Sequence, residues 1–67
     1  MFRIRTIKYE NEIMKFLDHI FNEREEAMNF MENFIKEEKY ETIKLFDKKG
    51  RVIRNYDHIK TKENLYA

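Results

Sequence analysis

The sequence contains no cysteine and no proline, and Gly50 is its only glycine. Without cysteine the chain has neither a disulfide nor a thiolate metal site. A single glycine excludes the glycine-rich phosphate loops and the nucleophile elbow, which need several glycines at fixed spacing. No apolar run approaches the roughly 20 residues that span a membrane, and the basic N-terminal segment has no apolar signal core behind it. These absences favour a cytoplasmic protein.

The 67 residues are enough for one small domain, spanning residues 1–67. Hydrophobic residues make up 42% of the chain and aromatic residues 15%, which is typical of a packed core rather than a disordered tail. A core of this size supplies only about 3–5 kcal/mol, so self-association is a common remedy. Residues 57–67 have a weak pattern, and we expect them to form a flexible or docking tail.

The central residues 12–38 dominate the pattern. On a helical wheel one side is apolar: it carries Ile13, Phe16, Leu17, Ile20, Ala27, Met31, Phe34 and Ile35. The opposite side is polar, with Lys15, Asp18, Asn22, Glu25, Asn29, Glu32, Asn33 and Lys36. The halves before and after Asn22 keep the same phase. This agreement predicts one long amphipathic helix of about 40 Å.

An alternative makes residues 13–21 a strand, with Asn22 and Glu25 as a capping box for a shorter helix from Glu23. Strict alternation fails, however, because each face of such a strand mixes apolar and charged residues. No Gly, Pro or Asn-Gly turn separates this segment from the strand before it. The sequence therefore favours the continuous helix and leaves the strand open.

Two flanking regions predict strands. Residues 2–9 alternate between two faces, and residues 40–46 and 51–56 form a hairpin whose 47–50 loop places Gly50 at a left-handed position. In this hairpin Leu45 would face Ile53, and Lys44 would face Arg54. The predicted fold is α+β with the order β-α-β-β: a three-stranded sheet with the long helix on one face. A right-handed crossover would make the first strand parallel to a hairpin strand. With residues 13–21 as a strand the order becomes β-β-α-β-β.

The net charge of +1 conceals a segregation. Residues 1–9 carry three basic side chains and no acid, residues 10–41 carry ten acids against four bases, and residues 42–67 carry seven bases against three acids. A central acidic segment between two basic ones indicates mutual electrostatic support within the fold or between subunits.

Catalytic patterns are missing. His19 and His58 lie in different elements without metal-ligand spacing, and each is interpreted as a solvated or satisfied side chain. Their acidic neighbours Asp18 and Asp57 point away from them, because adjacent residues on a helix or strand diverge. The sequence therefore predicts a protein that is not an enzyme, with no cofactor and no metal site.

The predicted sheet face turned away from the helix mixes basic and aromatic side chains. We expect a partner to bind there, on Arg3, Arg5, Tyr9, Lys44, Phe46, Arg54 and Tyr56. Exposed apolar patches more often mark protein interfaces, so the favoured partner is a host or cellular protein. Binding of single-stranded nucleic acid by the same face is the alternative. It has weaker support, because the chain has no RNP-type signature and a pI of only about 8.0.

A helix of about 40 Å is longer than a short sheet can cover, which predicts a homodimer. The dimer contact would use side chains at the edge of the apolar stripe, together with the one charge inside it: Met14, Phe21, Arg24 and Met28.

The Lys, Glu, Asn and Ile bias, the small size and the β-α-β-β order resemble the small orphan proteins of phages and prophages of AT-rich Gram-positive bacteria. This resemblance covers the composition of the whole chain and includes no specific motif. It implies an inhibitor or adaptor that binds a host protein stoichiometrically. No residue is assigned a role from it.

Overall fold

The computed structural model describes residues 1–58 and shows an α+β fold of four strands and one helix. The elements are β1 (Phe2–Glu10), β2 (Ile13–Phe21), α1 (Arg24–Glu37), β3 (Thr42–Phe46) and β4 (Val52–Asp57). The sheet order is β2-β1-β3-β4, and every neighbouring pair is antiparallel. The α+β class is confirmed. The three-stranded β-α-β-β order is wrong, and the β-β-α-β-β alternative matches.

Residues 13–21 form a strand, not the first half of a long helix. β1 and β2 pair over nine consecutive positions, from Phe2 opposite Phe21 to Glu10 opposite Ile13. The two residues of the connecting turn both have positive φ, 52° at Asn11 and 68° at Glu12, as a type I′ hairpin turn requires. Glycine usually supplies this conformation. Here Asn and Glu adopt it, so the customary turn signal is missing from the sequence.

The helix α1 has 14 residues, so it is only about 21 Å long. Its N-cap residue, Glu23, accepts a backbone hydrogen bond from Ala27 at 3.1 Å but makes no side-chain cap, so the Asn22–Glu25 capping box is wrong. Glu38, with φ of 55°, ends the helix and donates its N–H to the Ile35 carbonyl. A helix of this length does not extend beyond the sheet, whose longest strands have nine residues.

The core lies between α1 and one face of the sheet. Its buried apolar side chains come from β1, β2, α1 and β3, and they are Ile4, Phe21, Ala27, Met31, Ile43 and Leu45. Thr6 is buried beside them. The helix packs on β1, β3 and part of β2. It buries only one face of the sheet, and the other stays uncovered among residues 1–58.

The β3–β4 hairpin is confirmed, including its loop. Asp47 donates its N–H to the Arg51 carbonyl at 2.9 Å, and Gly50 has φ of 82°, where a left-handed residue was expected. The predicted register holds only next to the loop, where Phe46 faces Val52. A bulge at this point then shifts β4 by one residue, so Leu45 faces Arg54 rather than Ile53. The predicted parallel pairing of the first strand is also wrong, because β1 is antiparallel to both its neighbours.

Candidate protein interface on the open sheet face

We call the helix-free side of the sheet the open face. The strand registers and the period-2 alternation of side chains define its members. They are Arg3, Arg5, Ile7 and Tyr9 of β1; Met14, Phe16, Asp18 and Ile20 of β2; Thr42, Lys44 and Phe46 of β3; and Val52, Asn55 and Asp57 of β4.

Two arginines of β1 stack on phenylalanine rings of the strands beside it. The Arg3 guanidinium carbon lies 4.6 Å from the centroid of the Phe46 ring. The Arg5 carbon lies 4.6 Å from the Phe16 centroid and 6.0 Å from that of Phe46. These distances are within the range of cation–π attraction. Stacking lays the long side chains flat along the sheet and makes a continuous aromatic and cationic surface across β2, β1 and β3.

Arg5 is also held by a bidentate ion pair with Asp18 of β2. Its Nε donates to Oδ1 at 2.8 Å and its Nη2 donates to Oδ2 at 3.0 Å. These hydrogen bonds are the main reason that the pKa of Asp18 lies below its usual value and the pKa of Arg5 above its own. The pair consumes the fork of donors that a phosphate or a foreign carboxylate would need. Arg5 therefore serves to order the face more than to attract an anion.

The guanidinium of Arg3 is less well satisfied by hydrogen bonds than that of Arg5. Its Nε is buried and has no hydrogen-bond partner within residues 1–58. A buried unsatisfied donor costs free energy, and the stacking on Phe46 is what holds it in place. Lys44, the third base of the face, stands opposite Arg5 on β3.

Five of the seven predicted partner-binding residues share the open face: Arg3, Arg5, Tyr9, Lys44 and Phe46. The placement of Arg54 and Tyr56 is wrong. A one-residue slip moves every later side chain of a strand to the opposite face, and the bulge in β4 produces that slip. Arg54 instead pairs with Glu32 of the helix at 2.6 Å, and Tyr56 packs against the core.

The four predicted dimer-contact residues do not form one surface. Phe21 is buried in the core, and Met28 packs against it. Met14 lies on the open face near the start of β2, whereas Arg24 is exposed at the first position of the helix. The expected position of Met14 and Phe21 at the edge of a helix is wrong, because residues 13–21 are a strand.

Sequence reasoning missed the contribution of β2 to the open face. Phe16, Asp18 and Ile20 were assigned to a helix, yet they form the edge of this surface. One signal for this strand was present in the sequence. In a hairpin whose turn is closed by residues 10 and 13, the opposite charges of Arg5 and Asp18 face each other, and so do the apolar residues Phe2 and Phe21. Cross-strand pairs of these kinds stabilise antiparallel sheets.

Both histidines contact neighbouring aromatic or hydroxyl side chains. His19 lies on the helix side of β2, where its ring centroid is 4.9 Å from that of Phe34 and its Nε2 is 3.4 Å from the Thr6 hydroxyl. His58 Nδ1 is 3.3 Å from the Tyr56 hydroxyl. Within residues 1–58 no group of three or more His, Asp or Glu side chains is placed to hold a metal ion. Residues 57–67 were expected to form a flexible or docking tail. Residues 59–67 of this segment lie outside the described part of the chain.

The one helix in this part of the chain has neither the length nor the apolar character needed to cross a membrane. Comparison with protein-family models, with curated proteins and with solved structures finds no match.

Proposed function

We propose that this chain is a small non-enzymatic protein-interaction module, an inhibitor or adaptor that acts by covering a partner protein's surface with its open face. The observation that carries the proposal is the arginine–phenylalanine stack, flanked by exposed apolar side chains. Tyr9, Met14, Phe16 and Ile20 are all exposed on this face. Aromatic residues, Met and Arg are the types enriched at protein interfaces, and Tyr and Arg are frequent among binding hot spots.

The charge balance of the face supports a protein partner over nucleic acid. Three bases stand against two acids, Asp18 and Asp57, and the guanidinium of Arg5 is already occupied by Asp18. Arg54, which was expected to add a fourth base, lies on the helix side with Glu32. Nucleic-acid affinity comes chiefly from free Lys and Arg side chains that neutralise phosphates. Few of them remain here.

The test compares two phenylalanines of similar exposure on opposite sides of the sheet. Phe16 on the open face is 49% exposed and Phe30 on the helix is 47% exposed. Phe16→Ala should abolish capture of the partner protein from extracts of the native host, whereas Phe30→Ala should retain it. Arg54→Ala is a second control and should also retain capture. Equal capture by the Phe16 and Phe30 variants would contradict the proposal.

Nucleic-acid binding makes a distinct prediction in a gel shift with a single-stranded oligonucleotide. If it were the function, affinity would fall steeply between low and physiological salt, because binding releases condensed counterions. We expect no shift at low salt. A salt-sensitive shift that Lys44→Ala weakens would replace the protein partner with a nucleic acid.

A further inference from the structure

β2 presents an unpaired row of backbone hydrogen-bonding groups. The two-residue turn at 11–12 is closed by the pair Glu10–Ile13. In such a turn the carbonyl of the residue before the turn, here Glu10, accepts a hydrogen bond from the N–H of the residue after it, here Ile13. Pairs with and without mutual hydrogen bonds alternate along an antiparallel ladder. The odd-numbered residues of β2 therefore bond to β1. The even-numbered residues, from Met14 to Ile20, direct their N–H and C=O groups away from the sheet, where no other described strand lies.

This edge lacks proline, bulges and short length, three of the features by which soluble proteins block strand pairing. β2 is nine residues long, is paired to β1 without a register shift and contains no proline. Its two charged side chains both form ion pairs within the chain: Lys15 with Glu10 at 3.0 Å, and Asp18 with Arg5. The other edge, β4, is shorter and borders a bulge. The contrast singles out β2 as the edge that accepts a strand.

We propose that β2 is a dimerisation strand, which pairs antiparallel with β2 of a second copy about a two-fold axis at Leu17. The two sheets would then form one sheet of eight strands. In a two-fold pairing, the open faces of the two copies lie on the same side of the joint sheet only if opposite residues are both odd-numbered or both even-numbered. The residue numbers of each opposite pair must therefore sum to an even value. β2 has an odd number of residues centred on Leu17, so the register that overlaps the whole strand meets this condition.

The charges of β2 disfavour two other symmetric registers. With Leu17 opposite Leu17 of the second copy, Lys15 faces His19 and Asp18 faces Phe16. A symmetric pairing centred on residue 18 would place two aspartates opposite each other, and one centred on residue 15 would place two lysines opposite each other. Directly opposed like charges destabilise a sheet. The register centred on Leu17 avoids both, and unlike a register centred on Phe16 it overlaps all nine residues of β2.

The apolar side chains match in the same register. Leu17 is 66% exposed, and pairing covers it with its own counterpart. Ile13 of one copy lies opposite Phe21 of the other, whose ring is 4.9 Å from that of the exposed Phe30. A hollow of about 470 Å³ runs beside the first half of β2, where its lining includes Met14 and Leu17.

The self-pairing uses the edge of the sheet and leaves the side chains in the middle of the open face accessible. It does not depend on the proposed function. Its consequence for that function is that two open faces would merge into one continuous binding surface.

Disulfide trapping tests the register directly, because the chain has no native cysteine. Leu17 lies in a pair without mutual hydrogen bonds, where opposite Cα atoms are about 4.5 Å apart, within the range of a disulfide. Mild oxidation of the Leu17→Cys variant should give a covalent dimer of twice the 8.5 kDa chain mass. The matched control, Lys15→Cys, would be offset from its own counterpart by about 13 Å along the strand and should stay uncross-linked. Equal cross-linking of the two variants would overturn the register.

Charge reversal tests the same contact without oxidation. Leu17→Lys and Leu17→Glu should each be monomeric by light scattering, since like charges then oppose each other across the axis. An equal mixture of the two should form a heterodimer. Val52→Lys on β4, another half-exposed apolar side chain, should remain dimeric. Circular dichroism confirms that each variant is folded. A monomeric wild-type chain at high concentration, or a dimer unaffected by Leu17→Lys, would overturn the proposal, whereas failure of the Phe16→Ala capture test would not.

Discussion

Replacing isoleucine by valine at two positions separates the observed fold from the long-helix interpretation. Ile43 on β3 is 1% exposed and belongs to the core, whereas Ile13 at the start of β2 is 62% exposed. The long helix would place Ile13 in the buried stripe. Both changes remove one methylene from the same residue type, so the difference between them reports burial alone.

The structure predicts unequal costs. Ile43→Val should lower the free energy of unfolding by about 0.5–1.5 kcal/mol, as is usual for a buried isoleucine. Ile13→Val should change it by no more than about 0.5 kcal/mol, the range for surface substitutions. In a domain of this size 1 kcal/mol corresponds to about 4–8 °C in Tm. Ile43→Ala should cost about 2–5 kcal/mol, which rivals the roughly 3–5 kcal/mol that so small a core supplies.

Thermal and urea unfolding followed by circular dichroism measure these differences. The chain should be diluted until Tm no longer depends on concentration, so that self-association does not contribute. Equal losses for Ile13→Val and Ile43→Val would refute the placement of residues 13–21 in an edge strand, and a larger loss at Ile13 would restore the helical stripe.

Two further predictions concern the turn and the carboxylates. Glu12→Gly should raise stability by about 0.5–1 kcal/mol in chemical unfolding, because Asn-Gly suits the two positive φ angles of this hairpin turn; a lower stability would contradict the turn conformation. The pKa values of Glu10, Asp18 and Asp47 all lie below their usual values, chiefly through hydrogen bonds from Lys8, Arg5 and the Arg51 backbone respectively. Since folding lowers these pKa values, their stabilisation is complete above the unfolded values near pH 4 and is lost as pH falls through the folded ones. Asp18→Asn should flatten this loss in acid unfolding curves, and an unchanged slope would refute the contribution of the Arg5–Asp18 pair.

Residues 13–21 show why part of the fold could not be obtained from the pattern. Ile13 and Leu17 on one side, and Phe16 and Ile20 on the other, are all exposed, so β2 is apolar on both faces. A segment apolar on both faces has no clear period of two, and its residues then also fit a helical stripe. The turn that would have decided the matter uses Glu12 where glycine is usual. Pairing with β1 over nine positions decided it instead.

The open face was predicted only in part, because the alternation of side chains that defines it is interrupted in β4. Alternation along the regular strand β1 correctly placed Arg3, Arg5 and Tyr9 together, and the turn at Gly50 correctly located the β3–β4 hairpin. Alternation also predicted that Arg54 and Tyr56 would join them. A bulge inserts one residue and reverses the alternation beyond it, and nothing in the composition of residues 51–56 signals where it lies.

The sequence by itself determined the α+β class, the strand β1, the β3–β4 hairpin and the apolar stripe of the helix from Ala27 onward. These depend on local patterns, such as period-2 alternation, a left-handed glycine and a stripe of period 3.6. Only the tertiary structure decided that residues 13–21 are a strand, that β1 runs antiparallel to both neighbours and that Arg54 faces the helix. These depend on which backbone groups find partners across the sheet, and that choice is made between segments distant in the chain.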